Sequence, residues 1–194
     1  MPLMKHMPFV FLLLVLISCG PSRDKSVREM TDLENSLFSL QSMGFDTAKA
    51  KILMGKYEDF VLKRPGDSLS PECLFNAANL ALNLGDGTKA LALFDRFIQT
   101  FPDHPKAEIS LFFRGFVYEN YLRDLGKAKE VYTLFIGKYP GSNFADDAAM
   151  ALLNLGKTPD EMFREFEAKR RADSARMADS LAMAGKTKAA RKGR

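Results

Sequence analysis

Catalysis or metal binding needs nucleophiles, proton carriers or ligands that can converge, and the 194 residues of this chain include two cysteines and two histidines. Cys19 and Cys73 are too few for a disulfide framework. His6 falls in the N-terminal flank, which leaves His104 and Cys73 as the only imidazole and thiol in the body of the chain. One of each cannot supply the three or four ligands of a metal site. The same scarcity removes a Ser-His-Asp or Cys-His arrangement, because His104 sits in a turn beside Pro102 and Pro105. Gly156-Lys157-Thr158 and Gly185-Lys186-Thr187 echo the end of a phosphate-binding loop. Ala151 and Ser180 stand where its leading glycine belongs, and each fragment follows a helix rather than a strand, so both read as helix-exit turns. Asp146 and Asp147 are adjacent, diverge around a helix, and suit a solvated helix N-terminus. No catalytic residue, metal or cofactor is expected.

Cys19 has a different context. Lys5 and His6 precede an apolar run from Met7 to Ile17, which is a basic flank and a core of the length that secretory signals use. A bilayer span needs roughly 20 apolar residues, more than this run supplies. Leu16-Ile17-Ser18-Cys19 resembles the bacterial lipobox. That resemblance implies cleavage before Cys19, a diacylglycerol on its thiol and an acyl chain on its new amine. Several chains anchor stably where a single one binds only marginally. An ordinary secretory signal with a chance cysteine, or a buried N-terminal helix, is the alternative. Residue 20 is Gly rather than Asp, so the resemblance favours the outer membrane, with the soluble part in the periplasm. Met1 and Met4 are both candidate starts of translation. Cys73 is then the sole soluble thiol, expected buried on a helix face between Glu72 and Leu74.

The remainder is self-similar. Tyr57, Phe60 and Pro65 recur as Phe94, Phe97 and Pro102, then as Tyr132, Phe135 and Pro140, at offsets of 37 and 38. Aromatics three apart share a helix face, and the proline five residues later stops the helix. Such a set predicts inter-helix packing. Ala90 precedes Phe94 and Ala128 precedes Tyr132 by four residues, whereas the first copy has Leu53 there. These spacings resemble the second half of the tetratricopeptide repeat. Residues 71–104 align to one such unit without gaps. The aromatic-Pro-x-x-x-x-Ala junctions at 101–107 and 139–145 look like those of bacterial envelope lipoproteins, specifically the BamD-like family and the Tol-Pal coordinators.

The fold class implied is all-α, a tetratricopeptide-like helical-hairpin solenoid of about three and a half helix pairs with a C-terminal capping helix. Helices are expected at about 25–42, 46–63, 70–84, 87–101, 106–122, 125–139, 143–155 and 159–183. Gly44, Gly85 and Gly126 are placed in inter-helix turns. Thr158-Pro159-Asp160-Glu161 reads as a capped helix start, and Phe163 and Phe166 are expected to dock the last helix on the open end of the array. The domain plan is a signal peptide at 1–18, a lipidated Cys19 with a tether to 24, a solenoid at 25–157, a capping helix at 158–183 and a basic disordered tail at 184–194.

In such arrays the first helix of each pair lines a concave face. Asn76, Asn79 and Asn83 recur there as an amide stripe, with Arg114, Val117, Asn120 and Tyr121 expected from the next inner helix. Side-chain amides both donate and accept, which suits an extended peptide backbone; a merely solvated polar face is the competing explanation. Partners implied by the resemblance are envelope proteins or peptide segments, β-barrel assembly components among them, with the membrane engaged through the lipid. A division coordinator resembling the Tol-Pal partner, or an accessory lipoprotein of another outer-membrane complex, is the alternative. Export argues against nucleic acid as a partner despite the net charge of +4. That charge is uneven, since residues 164–194 carry ten basic and four acidic groups.

Overall fold

A computed structural model of the chain describes residues 22–38 and 44–192, and the backbone there forms eight helices. They are α1 (Arg23–Phe38), α2 (Thr47–Lys63), α3 (Ser70–Asn83), α4 (Gly87–Thr100), α5 (Lys106–Asn120), α6 (Leu125–Lys138), α7 (Ala145–Asn154) and α8 (Pro159–Lys192). Cys19, the expected signal peptide at 1–18 and the expected end of the first helix at 42 lie outside the described residues. Arg23 and Asp24, expected in the tether, already belong to α1, whose first turn is capped by Ser22 Oγ accepting from the Lys25 N–H at 3.3 Å.

From α1 to α7 each helix packs against its neighbours in sequence, the pattern of a solenoid of helical hairpins. The repeated aromatics explain it. Tyr57, Phe60, Phe94, Phe97, Tyr132 and Phe135 are all 3% exposed or less, and Leu53, Ala90 and Ala128 are fully buried beside them. Two clusters form the core, one from α1 to α5 and one around α6 and α7, and α5 feeds both. Its adjacent Phe112 and Phe113 split the task. Phe113 stacks on Phe94 with centroids 5.3 Å apart, while Phe112 meets Tyr132 and Phe135 at 5.8 Å each. Close helix approach needs a missing side chain at Gly115, where an added Cβ would come within 2.6 Å of the Tyr132 ring.

Every hairpin-to-hairpin junction uses one design. The backbone N–H groups of Arg64, Phe101 and Tyr139 close α2, α4 and α6 onto the carbonyls of Phe60, Phe97 and Phe135. Three residues on, Asp67, His104 and Ser142 each turn a side-chain acceptor onto the N–H two residues ahead, at 3.0, 3.1 and 3.0 Å. This assigns His104 a turn-forming role. Within hairpins, Asp46, Asp86 and Asp124 cap α2, α4 and α6.

Two expectations need correction. Gly44 and Gly85 have positive φ, but Gly126 lies inside α6 and the left-handed position before the Asp124 cap is taken by Arg123 at φ 55°. Gly126 stands three residues past that position, so it is not the counterpart of Gly85. The last helix does not cap the array as expected. Phe163 and Phe166 are 65% and 62% exposed, and the helix runs beyond 183 through Gly185 to Lys192 in place of a disordered segment. A single glycine costs a helix only about 1 kcal/mol, and the Ala, Lys and Arg around it favour continuation. Its start is as expected. Gly156 turns the chain at φ 78°, Thr158 Oγ1 accepts from the Glu161 N–H at 3.3 Å, and Glu161 accepts from the Thr158 N–H at 2.8 Å. That backbone bond holds the Glu161 carboxyl below its ordinary range.

Candidate functional site

The amide stripe does fall on one surface. Asn76, Asn79 and Asn83 of α3 line a groove of about 260 Å³ together with Glu34 and Phe38 of α1 and Tyr57 of α2. Helical spacing of three and four puts the amides in a row. On its far side α3 buries Leu74, Ala77, Ala78 and Ala81, and this fixes which way the amides point. The floor is a small polar network. Tyr57 donates its phenolic proton to Glu34 Oε1 and is contacted by the Asn76 amide. Burial first, and the Glu34 carboxylate second, push the Tyr57 phenol well above its ordinary value. Nearby Cys73 is buried, and burial followed by the Glu34, Asp67 and Glu72 charges pushes its thiol up to about 12. A thiol held protonated and covered is an inert core group. Further along the groove, Asn79 and Asn83 make no hydrogen bond to another described residue, and Phe38, 61% exposed, stands opposite as an apolar wall.

The residues expected from α5 are placed differently. Arg114 Nε lies 2.6 Å from Asp95 Oδ1 of α4, and Val117 is fully buried in the first core. Asn120 donates to its own helix at Phe116 O, 3.1 Å away. Tyr121 donates to Leu82 O at 3.1 Å, and its Cβ sits where an added Cβ on Gly87 would come within 2.4 Å. It therefore clamps the turn between α3 and α4. Junction geometry explains the shift. Asp67 and His104 are equivalent, 37 residues apart, so the α5 counterparts of Asn76, Asn79 and Asn83 are Phe113, Phe116 and Asn120. The groove between α1 and α3 is thus filled by phenylalanine at the next step.

Glu34 and Phe38 were missed in the sequence. Their signal was available, since they lie one turn apart on α1 and off the line of Met30, Leu33 and Leu37 that packs into the core. Tyr57 was assigned to the core alone, although its hydroxyl reaches the groove. Partly exposed ion pairs also tie the array: Lys56 of α2 to Glu29 of α1 at 2.6 Å, Lys89 of α4 to Glu58 of α2 at 2.7 Å, and Arg23 of α1 to Asp67 of the α2/α3 junction at 2.6 Å. Each contributes little alone.

This array of helical hairpins, with its repeated aromatic-proline junctions, matches the model of the outer membrane lipoprotein family YfiO over residues 65–169. The chain belongs to this family. The match begins at the first junction and runs through α7 into α8, so the YfiO-like segment supplies the amide side of the groove, while Glu34, Phe38 and Tyr57 precede it. No curated protein matches the sequence. Among the described residues no helix is long and apolar enough to cross a membrane.

Proposed function

We propose that this protein is a non-catalytic adaptor, anchored in the outer membrane through acylated Cys19 and facing the periplasm, whose solenoid at 25–157 holds an extended segment of an envelope partner. The partner belongs to the machinery that assembles outer-membrane β-barrel proteins. The observation that carries this reading is the pair of amides, Asn79 and Asn83, which make no hydrogen bond to another described residue and are set beside exposed Phe38 in a groove between two inner helices. An extended backbone offers free N–H and C=O groups at intervals, which amides can meet in either sense. Membership of an outer membrane lipoprotein family supports the location and the binding class. Arg114 and Tyr121 are engaged with α4 and α3, while Asn120 bonds within its own helix.

Affinity purification of the tagged full chain from solubilised membranes tests the assignment, with recovery of a β-barrel insertase expected. Recovery of Pal-like proteins would move the protein to division coordination, and a cytoplasmic partner would overturn the localisation. Asn79→Ala with Asn83→Ala should lose capture at an unchanged melting temperature, and undiminished capture would refute the groove. An inhibitor of lipoprotein signal peptidase should change gel mobility if Cys19 is the anchor.

A further inference from the structure

The long helix α8 leaves its large apolar side chains uncovered: Phe163, Phe166, Met177 and Leu181 are each between 62% and 69% exposed. They fall on one side of the helix: Phe163, Phe166 and Met177 keep heptad spacing with Arg170 and Asp173 in the positions between, and Leu181 lies one residue past the next heptad position. Phe166, Lys169, Arg170, Asp173, Ser174 and Met177 line a single shallow recess of about 350 Å³ along that side. Read from either end, the order is apolar, charged, oppositely charged, apolar.

We propose that α8 pairs with α8 of a second copy of this chain in an antiparallel two-helix seam. Reversing one copy about the midpoint between Arg170 and Asp173 places Arg170 opposite Asp173 twice, Phe166 opposite Met177, and Met162 and Phe163 opposite Leu181. A parallel pair would set Arg170 on Arg170 and Asp173 on Asp173, so charge selects the antiparallel arrangement. Such a contact is two-fold symmetric and self-complementary, which closes it at two copies. The present partners of the central charges yield readily. Arg170 meets Glu167 at 2.9 Å and Asp173 meets Arg176 at 3.7 Å, all within one exposed helix. Lys169 and Arg176 of opposite copies flank the seam and repel, which limits its strength at low salt and is relieved as salt screens them. An attraction between the basic end of the chain and anionic lipid would respond to salt in the opposite sense.

The test uses two full-length copies with different tags, purified in detergent and mixed. Wild type should capture wild type and continue to do so at about 0.5 M salt. Arg170→Asp alone sets carboxylates against each other and Asp173→Arg alone sets guanidiniums against each other, so each should weaken self-capture roughly tenfold or more. Mixing the Arg170→Asp chain with the Asp173→Arg chain should restore capture, because every opposed pair is again complementary. These positions are exposed on the helix, and unchanged helicity by circular dichroism verifies that the variants fold. The proposal is overturned if wild type does not capture itself, if either single reversal captures itself as well as wild type does, or if the mixed pair captures no better than the singles. Salt-sensitive binding of the wild type to anionic vesicles without self-capture would assign α8 to the membrane surface instead.

Discussion

Between α1 and α3, Tyr57 of the outer helix meets Asn76 and Glu34. One step along the array the same positions hold Phe94 and Phe113, stacked at 5.3 Å, with Phe75 edge-on to Phe94 at 6.0 Å. The first step is an open groove with a hydrogen-bonded floor; the second is an aromatic contact. Both steps keep the same junction and cap geometry, so the difference lies in side chains alone. A repeat array can thus be rigid at one interface and open at its neighbour without altering its backbone plan.

Exchanging the two solutions gives the largest expected effect. Phe113→Asn removes the ring stacked on Phe94 and leaves an amide against apolar walls, at a cost of about 2–4 kcal/mol in urea unfolding. The reverse change, Asn76→Phe, should fill the first groove, abolish partner capture and leave the unfolding midpoint close to wild type. If Phe113→Asn proves neutral, the second step does not depend on that ring and the contrast fails.

Next in size is the floor of the groove. Tyr57→Phe leaves the Glu34 carboxylate without its donor, an expected loss of about 1.5–3 kcal/mol at neutral pH. The pH dependence distinguishes this from simple loss of packing. The folded chain holds the Tyr57 phenol above its ordinary value, so its contribution is complete below about pH 10 and is lost as pH rises beyond that. The gap between wild type and Tyr57→Phe should therefore narrow in strong alkali. At the α3/α5 step Phe94 has no hydroxyl, and changes there should show no such narrowing.

Much of this was legible beforehand, and where it was not the reason is physical. The repeat exposed the aromatic core because burial of a helix face recurs in sequence whenever the hairpins recur in space. Cys73 followed from its apolar helix neighbours. The partners of Arg114, Asn120 and Tyr121 were not foreseen, because periodicity specifies a face but not the contacts a side chain makes there. Nothing local says that Tyr121 reaches back 39 residues to Leu82 O. Glu34 and Phe38 escaped because α1 lacks the aromatic signature, and a groove needs both its walls. Exposure of Phe163 and Phe166 ran against a plain rule, that large apolar residues near the end of an array cover it. On α8 they face outward together with Met177 and Leu181, where only a further surface can bury them.

The smallest expected effect lies in the turns inside the α3/α4 and α5/α6 hairpins. Gly85 and Arg123 both occupy the left-handed position immediately before an aspartate cap, at φ 75° and 55°. A side chain with a Cβ pays about 1–2 kcal/mol there, while glycine gives back part of that gain through the greater freedom of the unfolded chain. Arg123→Gly should therefore stabilise the fold by about 0.5–1 kcal/mol, and Gly85→Arg should destabilise it by a similar amount. Urea midpoints of the two variants measure both. Equal and opposite shifts would establish that the two hairpins share one turn despite the extra residue in the second. A shift at Gly85 alone would mean that the longer turn relaxes around Arg123, and that the α5/α6 hairpin tolerates what the α3/α4 hairpin does not.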